Sequence, residues 1–227
     1  ITKRKGKKKM DKVKEALKKY TEPQGLWRIF CMMTAIFLMG VSLSFLILVD
    51  MGTDPFSFMN RGFAAALHMS FGTWQLLMNV ILFLITFLFQ KNLIGLGTLV
   101  NMTAIGYVAD FFGSVWDQIE IFHNPMPMML RLVILAGALA VFVLTAAVYM
   151  TAQLGMAPYD AVPFIIAKRA KKLSFRWIRM LWDTAATMMG ILLGMKLGAI
   201  TVLMVLTLGP VVSWFGEHVA GKLFERG

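Results

Sequence analysis

The chain has 227 residues, of which 58% are hydrophobic and 15% charged, and its mean hydropathy is +0.70. So much apolar surface beside so few charges excludes an ordinary soluble domain and points to an integral membrane protein. The net charge of +11 does not mark a nucleic-acid binder, because ten of the 23 Lys and Arg fall within residues 1–20 with few aromatics among them, and the lone Cys31 excludes a disulfide framework.

The basic stretch from Lys3 to Lys19 suits anionic lipid at the inner leaflet. Met10, Val13, Leu17 and Tyr20 share one side of a short helix there, so residues 1–25 read as a cytoplasmic tail with an interfacial amphipathic helix. The first apolar stretch is too long for a cleavable leader and lacks a cleavage site. Six spans are expected, at 26–49, 71–90, 93–113, 128–151, 174–195 and 197–216, each long enough to cross a hydrocarbon core. The stretch 114–127 reads as an external connection, and 218–227 as a cytoplasmic C-terminal tail.

Two stretches, 52–70 and 155–173, are too short for a full crossing with its turns. The first opens Gly52-Thr53-Asp54-Pro55-Phe56 and the second Gly155-Met156-Ala157-Pro158-Tyr159, 103 positions later. The same offset pairs Trp74 with Trp177, Gly95 with Gly198, Thr98 with Thr201 and Gly106 with Gly209. The chain therefore reads as one module written twice, 26–113 and 128–217. Proline prevents a smooth helical continuation but suits the first turn of a new helix, and glycine three positions earlier permits a tight turn. Each repeat is thus expected to carry a short, proline-started broken or re-entrant helix after its first span.

Positive residues set the sidedness. The basic tail, Arg28, Lys91 and the cluster Lys168, Arg169, Lys171 and Lys172 place the N-terminus and C-terminus inside, while 114–127 has Asp117 and Glu120 but no Lys or Arg. Arg61 and Lys196 are isolated exceptions. Three spans per repeat, an odd number, send the second half into the membrane from the opposite side, which makes this an all-α fold of two inverted-topology repeats.

Asp54 is placed to cap the first broken helix, whereas the second copy has Ala157 there and Asp160 in its first turn. The helix starts offer N–H groups and positive potential to a polar or anionic group. Asp183 lies about nine residues, roughly 13 Å, into the fifth span, where an ionisable group usually has a job or a partner. It could couple protons, or pair structurally with Arg179 or Arg176. Asn79 has nearly the same depth in the first half, with the register uncertain by one. Asn101 sits mid-span in the third. The candidate substrate site is therefore Asp54, Pro55, Phe56, Asn60, Asn79, Asn101, Pro158, Tyr159, Asp160 and Asp183, with Phe56 and Tyr159 flanking a modest organic solute. Threonines 98 and 201, and the ladder Gly190, Gly194 and Gly198, read as helix packing. The 19 methionines, including Met126, Met128 and Met129 near His123, read as apolar filler rather than copper ligands, so neither a metal nor a cofactor is expected. No hydrolase, metalloprotease or phosphate-loop motif is present, and an enzyme is not expected.

The two Gly-x-x-Pro-aromatic segments, with Ser70-Phe71-Gly72-Thr73-Trp74 leading into the next span, resemble the bacterial YczE/YyaS/YitT family over about residues 26–217. The resemblance implies a bacterial inner-membrane protein of five or six spans and supplies no substrate. Together these features lead to a small secondary transporter or permease for a small polar or anionic organic solute bound between the repeats. The alternatives are a non-transporting partner or regulator of another membrane protein, or a substrate-capture subunit of an energy-coupled uptake complex. Expected partners are a bilayer with anionic inner-leaflet lipids, the solute, and a second copy or partner membrane protein.

Overall fold

A computed structural model describes residues 21–122, 126–170 and 173–225. The expected interfacial helix falls outside them. The described chain is helical: α1 Pro23–Val49, α2 Pro55–Ala66, α3 Phe71–Phe89, α4 Leu96–Trp116, α5 Met128–Thr151, α6 Pro158–Arg169, α7 Phe175–Leu192 and α8 Ala199–Phe215. A π-helical turn, Gly216–Ala220, and a last short helix α9, Gly221–Glu225, carry α8 onward. The C-terminal stretch is therefore helical, and it packs back on the start of α1. Trp27 Nε1 donates to the Leu223 carbonyl at 3.0 Å, and the Arg28 guanidinium lies 5.3 Å from the Phe224 ring centre.

Both broken helices start where proline can start them. Pro55 and Pro158 each stand at the head of a 12-residue helix, with φ preset and no orphan N–H to satisfy. Helices α3 and α7 begin after Ser70 and Ser174. These serines are 104 positions apart, one more than the offset of the glycine segments, because the connection before α7 is longer by one residue. Asn79 and Asp183 therefore hold the same position, nine residues past their serines, and Gln75 matches Arg179. The pairing of Trp74 with Trp177 does not survive as a structural equivalence.

Packing follows a repeated scheme. Helix α1 lies along both α5 and α4, and α5 lies along α8; α2 packs on α3 and α7, while α6 packs on α7 and α3. Polar contacts repeat in the same way. Arg28, near the start of α1, donates to the Ala152 carbonyl just past α5, and Arg131, near the start of α5, donates through Nε to the Val49 carbonyl ending α1 at 3.1 Å. Each guanidinium satisfies a helix-terminal carbonyl that has no intrahelical donor. Arg28→Ala and Arg131→Ala are each expected to cost about 1.5–3 kcal/mol, the range for hydrogen bonds to a charged group, read as a lowered unfolding midpoint in detergent.

The glycine segments are clasped just as reciprocally. Gly52 and Gly155 have φ of +121° and +122°. The Met51 carbonyl accepts from Ile200 N at 3.3 Å, and the Leu154 carbonyl accepts from Gly97 N at 2.8 Å. Thr53 N donates to Thr201 Oγ1 at 3.1 Å. Gly95 and Gly198 admit these carbonyls, since a Cβ there would lie 2.2 Å from Leu154 O and 2.1 Å from Met51 O. Of the expected small-residue ladder, only Gly190 lies within α7, against Phe58; Gly194 takes a positive φ past the helix end, and Gly198 belongs to the clasp.

Four stretches among the described residues are long and apolar enough to cross a membrane: Pro23–Val49, Phe71–Phe89, Met128–Thr151 and Ala199–Phe224. The other two expected spans coincide with α4 and α7, 21 and 18 residues long. Their polar content has visible uses. Asp110 on α4 accepts from Gly72 N in the first turn of α3 at 2.8 Å, and α7 turns Arg179 and Asp183 inward.

Candidate functional site

Helices α2 and α6 meet at their first turns. The Phe56 and Tyr159 rings stack with centres 4.4 Å apart, one from each half. From there α2 runs toward the end of α7, where a Cβ on Gly62 would touch Leu193. Beside the stacked rings opens a cavity of about 320 Å³, at the small end of the range for ligand pockets. Its wall takes residues from α1, α2, α3, α4, α5, α6, α7 and α8, so both halves build it.

Seven of the ten residues singled out in the sequence line this cavity: Asp54, Phe56, Asn79, Asn101, Tyr159, Asp160 and Asp183. The other three stand behind it. Pro55 and Pro158 are buried helix starters, and Asn60 turns its amide to the Phe56 carbonyl at 2.8 Å. The wall also holds Gln75, Tyr149 and Arg179, which no motif flagged as solute-binding. Gln75 was legible only through its equivalence with Arg179, which the one-residue difference between the halves obscures.

Most of the charge in this wall is already paired. Asp183 is 1% exposed, and both its oxygens are engaged: Tyr159 Oη donates to Oδ1 at 2.7 Å and Arg179 Nε to Oδ2 at 2.9 Å. Arg179 also pairs with Asp160 through Nη1 and lies 5.2 Å from the Tyr159 ring centre. The i−4 pairing thus takes the carboxylate that stood out most in the sequence, and it ties α6 to α7. The positive end of α6 is met by Asp160 in its first turn.

Asp54 is different. Its Oδ1 caps α2, accepting from Ser57 N at 3.0 Å, while its Oδ2 is buried with no hydrogen-bond partner among the described residues. The positive end of α2 is therefore already occupied by the chain's own carboxylate. Asp54→Ala is expected to cost about 0.5–2 kcal/mol through the lost cap, whereas Asp54→Asn, an equally good cap, is expected to leave the unfolding midpoint nearly unchanged. The Gln75 Oε1 and Tyr149 hydroxyl are likewise buried without partners among the described residues. Pro210, also in the wall, cannot donate to the Leu206 carbonyl as a helical residue otherwise would. Among the described residues no group of three His, Cys, Asp or Glu is placed to hold a metal ion.

A family model described as a family of unknown function, DUF6198, matches residues 26–217, from α1 to the end of α8. The chain belongs to the DUF6198 family. The matched region contains every residue of the cavity wall, so the site lies wholly within what DUF6198 describes. A Haemophilus influenzae (strain ATCC 51907 / DSM 11121 / KW20 / Rd) protein, titled an uncharacterized protein, is 26% identical over 192 residues, which covers 85% of this chain and 84% of that one. No solved structure matches.

Proposed function

We propose that this DUF6198 chain is a small secondary transporter of a bacterial cytoplasmic membrane, carrying a small polar organic solute through the cavity between two inverted three-span repeats. The observation that carries the reading is the meeting of two proline-started helices, one from each half, at a partly polar cavity. Interrupted helices at matching positions of two halves are a recurrent way to build a solute site with alternating access. The reciprocal arginine contacts, the mirrored glycine clasps and the repeated helix pairings support the inverted duplication. The contacts of Trp27 and Arg28 with the C-terminal helix support an even number of spans, with both ends on one side. On this reading the chain is also related to the YczE/YyaS/YitT family, is not an enzyme, and has anionic inner-leaflet lipid as the partner of its basic segment.

Uptake into proteoliposomes tests the proposal. Solutes that raise the unfolding midpoint of the purified protein, as a ligand of the folded state must, are expected to be taken up faster than into protein-free vesicles. Binding solutes that never cross would leave a partner or regulatory protein as the better description.

A further inference from the structure

We infer that the cavity takes its ligand by a cationic head, an ammonium group on a small, largely apolar body, seated on Asp54 beside the Phe56 ring. The inference rests on the transport reading's choice of this cavity as the solute site. Four features lead to it.

Asp54 is 8% exposed and lines the cavity, and its Oδ2 has no hydrogen-bond partner among the described residues. A buried carboxylate oxygen without a donor is costly unless a ligand supplies one. Of the two guanidiniums in the wall, Arg179, the less exposed, is already shared between Asp183 and Asp160. Counted as formal charges, the wall carries three carboxylates and two guanidiniums, Arg179 and the exposed Arg176, which leaves one negative charge in excess. An anionic solute would meet uncompensated negative charge; an ammonium ion would neutralise it.

Gln75, in the same wall, adds a second buried acceptor, Oε1, without a partner among the described residues. An ammonium group has N–H donors to offer such acceptors, and a carboxylate has none. Tyr159 already has Phe56 stacked on it and the Arg179 guanidinium beside it, but the Phe56 ring, which lines the cavity next to Asp54, can attract a cation. In the same wall Met39, Leu43, Ile105 and Phe142 give the body of the ligand an apolar surround.

Purified full-length protein in detergent micelles, titrated with phenethylammonium and, at matched ionic strength, with 3-phenylpropionate, tests the inference. Phenethylammonium is expected to raise the unfolding midpoint by several degrees at concentrations far above its Kd, and 3-phenylpropionate to leave it unchanged. Asp54→Asn keeps the helix cap, so its unliganded midpoint should hold while phenethylammonium affinity falls about 10–100-fold, the worth of a charge-assisted hydrogen bond. Stabilisation by the carboxylate, by neither compound, or by phenethylammonium equally in Asp54→Asn would overturn the inference. The two readings fail separately. A carboxylate that binds and enters liposomes removes the cation and spares transport; an ammonium that binds and never enters does the reverse.

Discussion

Arg179→Ala is expected to lose about 3–5 kcal/mol of stability, the range for removing one partner of a buried ion pair. The guanidinium holds Asp183 through Nε and Asp160 through Nη1, on two helices, with side-chain exposures of 17% for Arg179 and 2% for Asp183. Its removal leaves the buried Asp183 with the Tyr159 hydroxyl as its remaining side-chain donor among the described residues, and leaves Asp160, 24% exposed, without its ion pair. Arg179→Lys should recover part of the loss, because an ammonium restores the charge but lacks the planar fork that serves two acids at once. Unfolding by SDS in mixed micelles measures both variants. A loss below about 1 kcal/mol for Arg179→Ala, as at an exposed ion pair, would show that water reaches this cluster and that the cavity wall is not as packed as described.

The second large effect is expected at the clasps. Gly155→Ala and Gly52→Ala each place a side chain on a backbone with φ near +120°, which costs about 1–3 kcal/mol in strain. The new Cβ would also lie 2.5 Å from Thr98 Oγ1 in one case and 2.7 Å from Thr201 N in the other, and overpacking adds about 1–3 kcal/mol. Losses of about 2–6 kcal/mol, similar in the two halves, are the expected outcome of the same unfolding measurement. Gly137→Ala is the control: it lies inside α5 with nothing within 4 Å of the added Cβ, so it should be neutral or stabilise by up to about 1 kcal/mol. Clasp substitutions as harmless as this one would mean that the glycine segments do not hold the halves together.

The helices themselves were legible because their signals are local. Apolar runs of span length, prolines at two helix starts and a capping aspartate all act within a few residues. What lay hidden depends on contacts between distant segments. Arg28 carries a sidedness signal in the sequence, and Arg131 carries no motif at all, yet each closes the far end of the other's helix. The 103-residue offset relates both arginines and both of their acceptors, so the repeat held the clue once it was applied to charges as well as glycines. Gly198 and Thr201 were readable as small packing residues and Gly95 only as a member of the repeat, but none as a seat for the opposite half's backbone, since nothing local shows which carbonyl will arrive.

The site was partly legible for the same reason. Asp183 stands out as a carboxylate inside an apolar run, but its pairing with Arg179 was one alternative beside Arg176, and the hydroxyl of Tyr159, on another helix, gave no local signal. Asp54 was recognised through its cap, a local role; its free oxygen is a property of the assembled cavity. The extra residue before α7 then displaced the apparent match of Trp74 with Trp177, so Gln75 was not aligned with Arg179 and went unremarked.

Opposite orientation of the two halves is the claim on which the cavity's role depends, and cysteine labelling from one side of the membrane tests it most directly. In a Cys31→Ser background, Asn92→Cys lies in the exposed turn after α3 and Lys196→Cys in the exposed turn after α7, matching places in the two repeats. A membrane-impermeant maleimide added to intact cells should label Lys196→Cys at once and Asn92→Cys only after permeabilisation. Labelling of both from the same side would contradict an inverted repeat, and with it the alternating-access account.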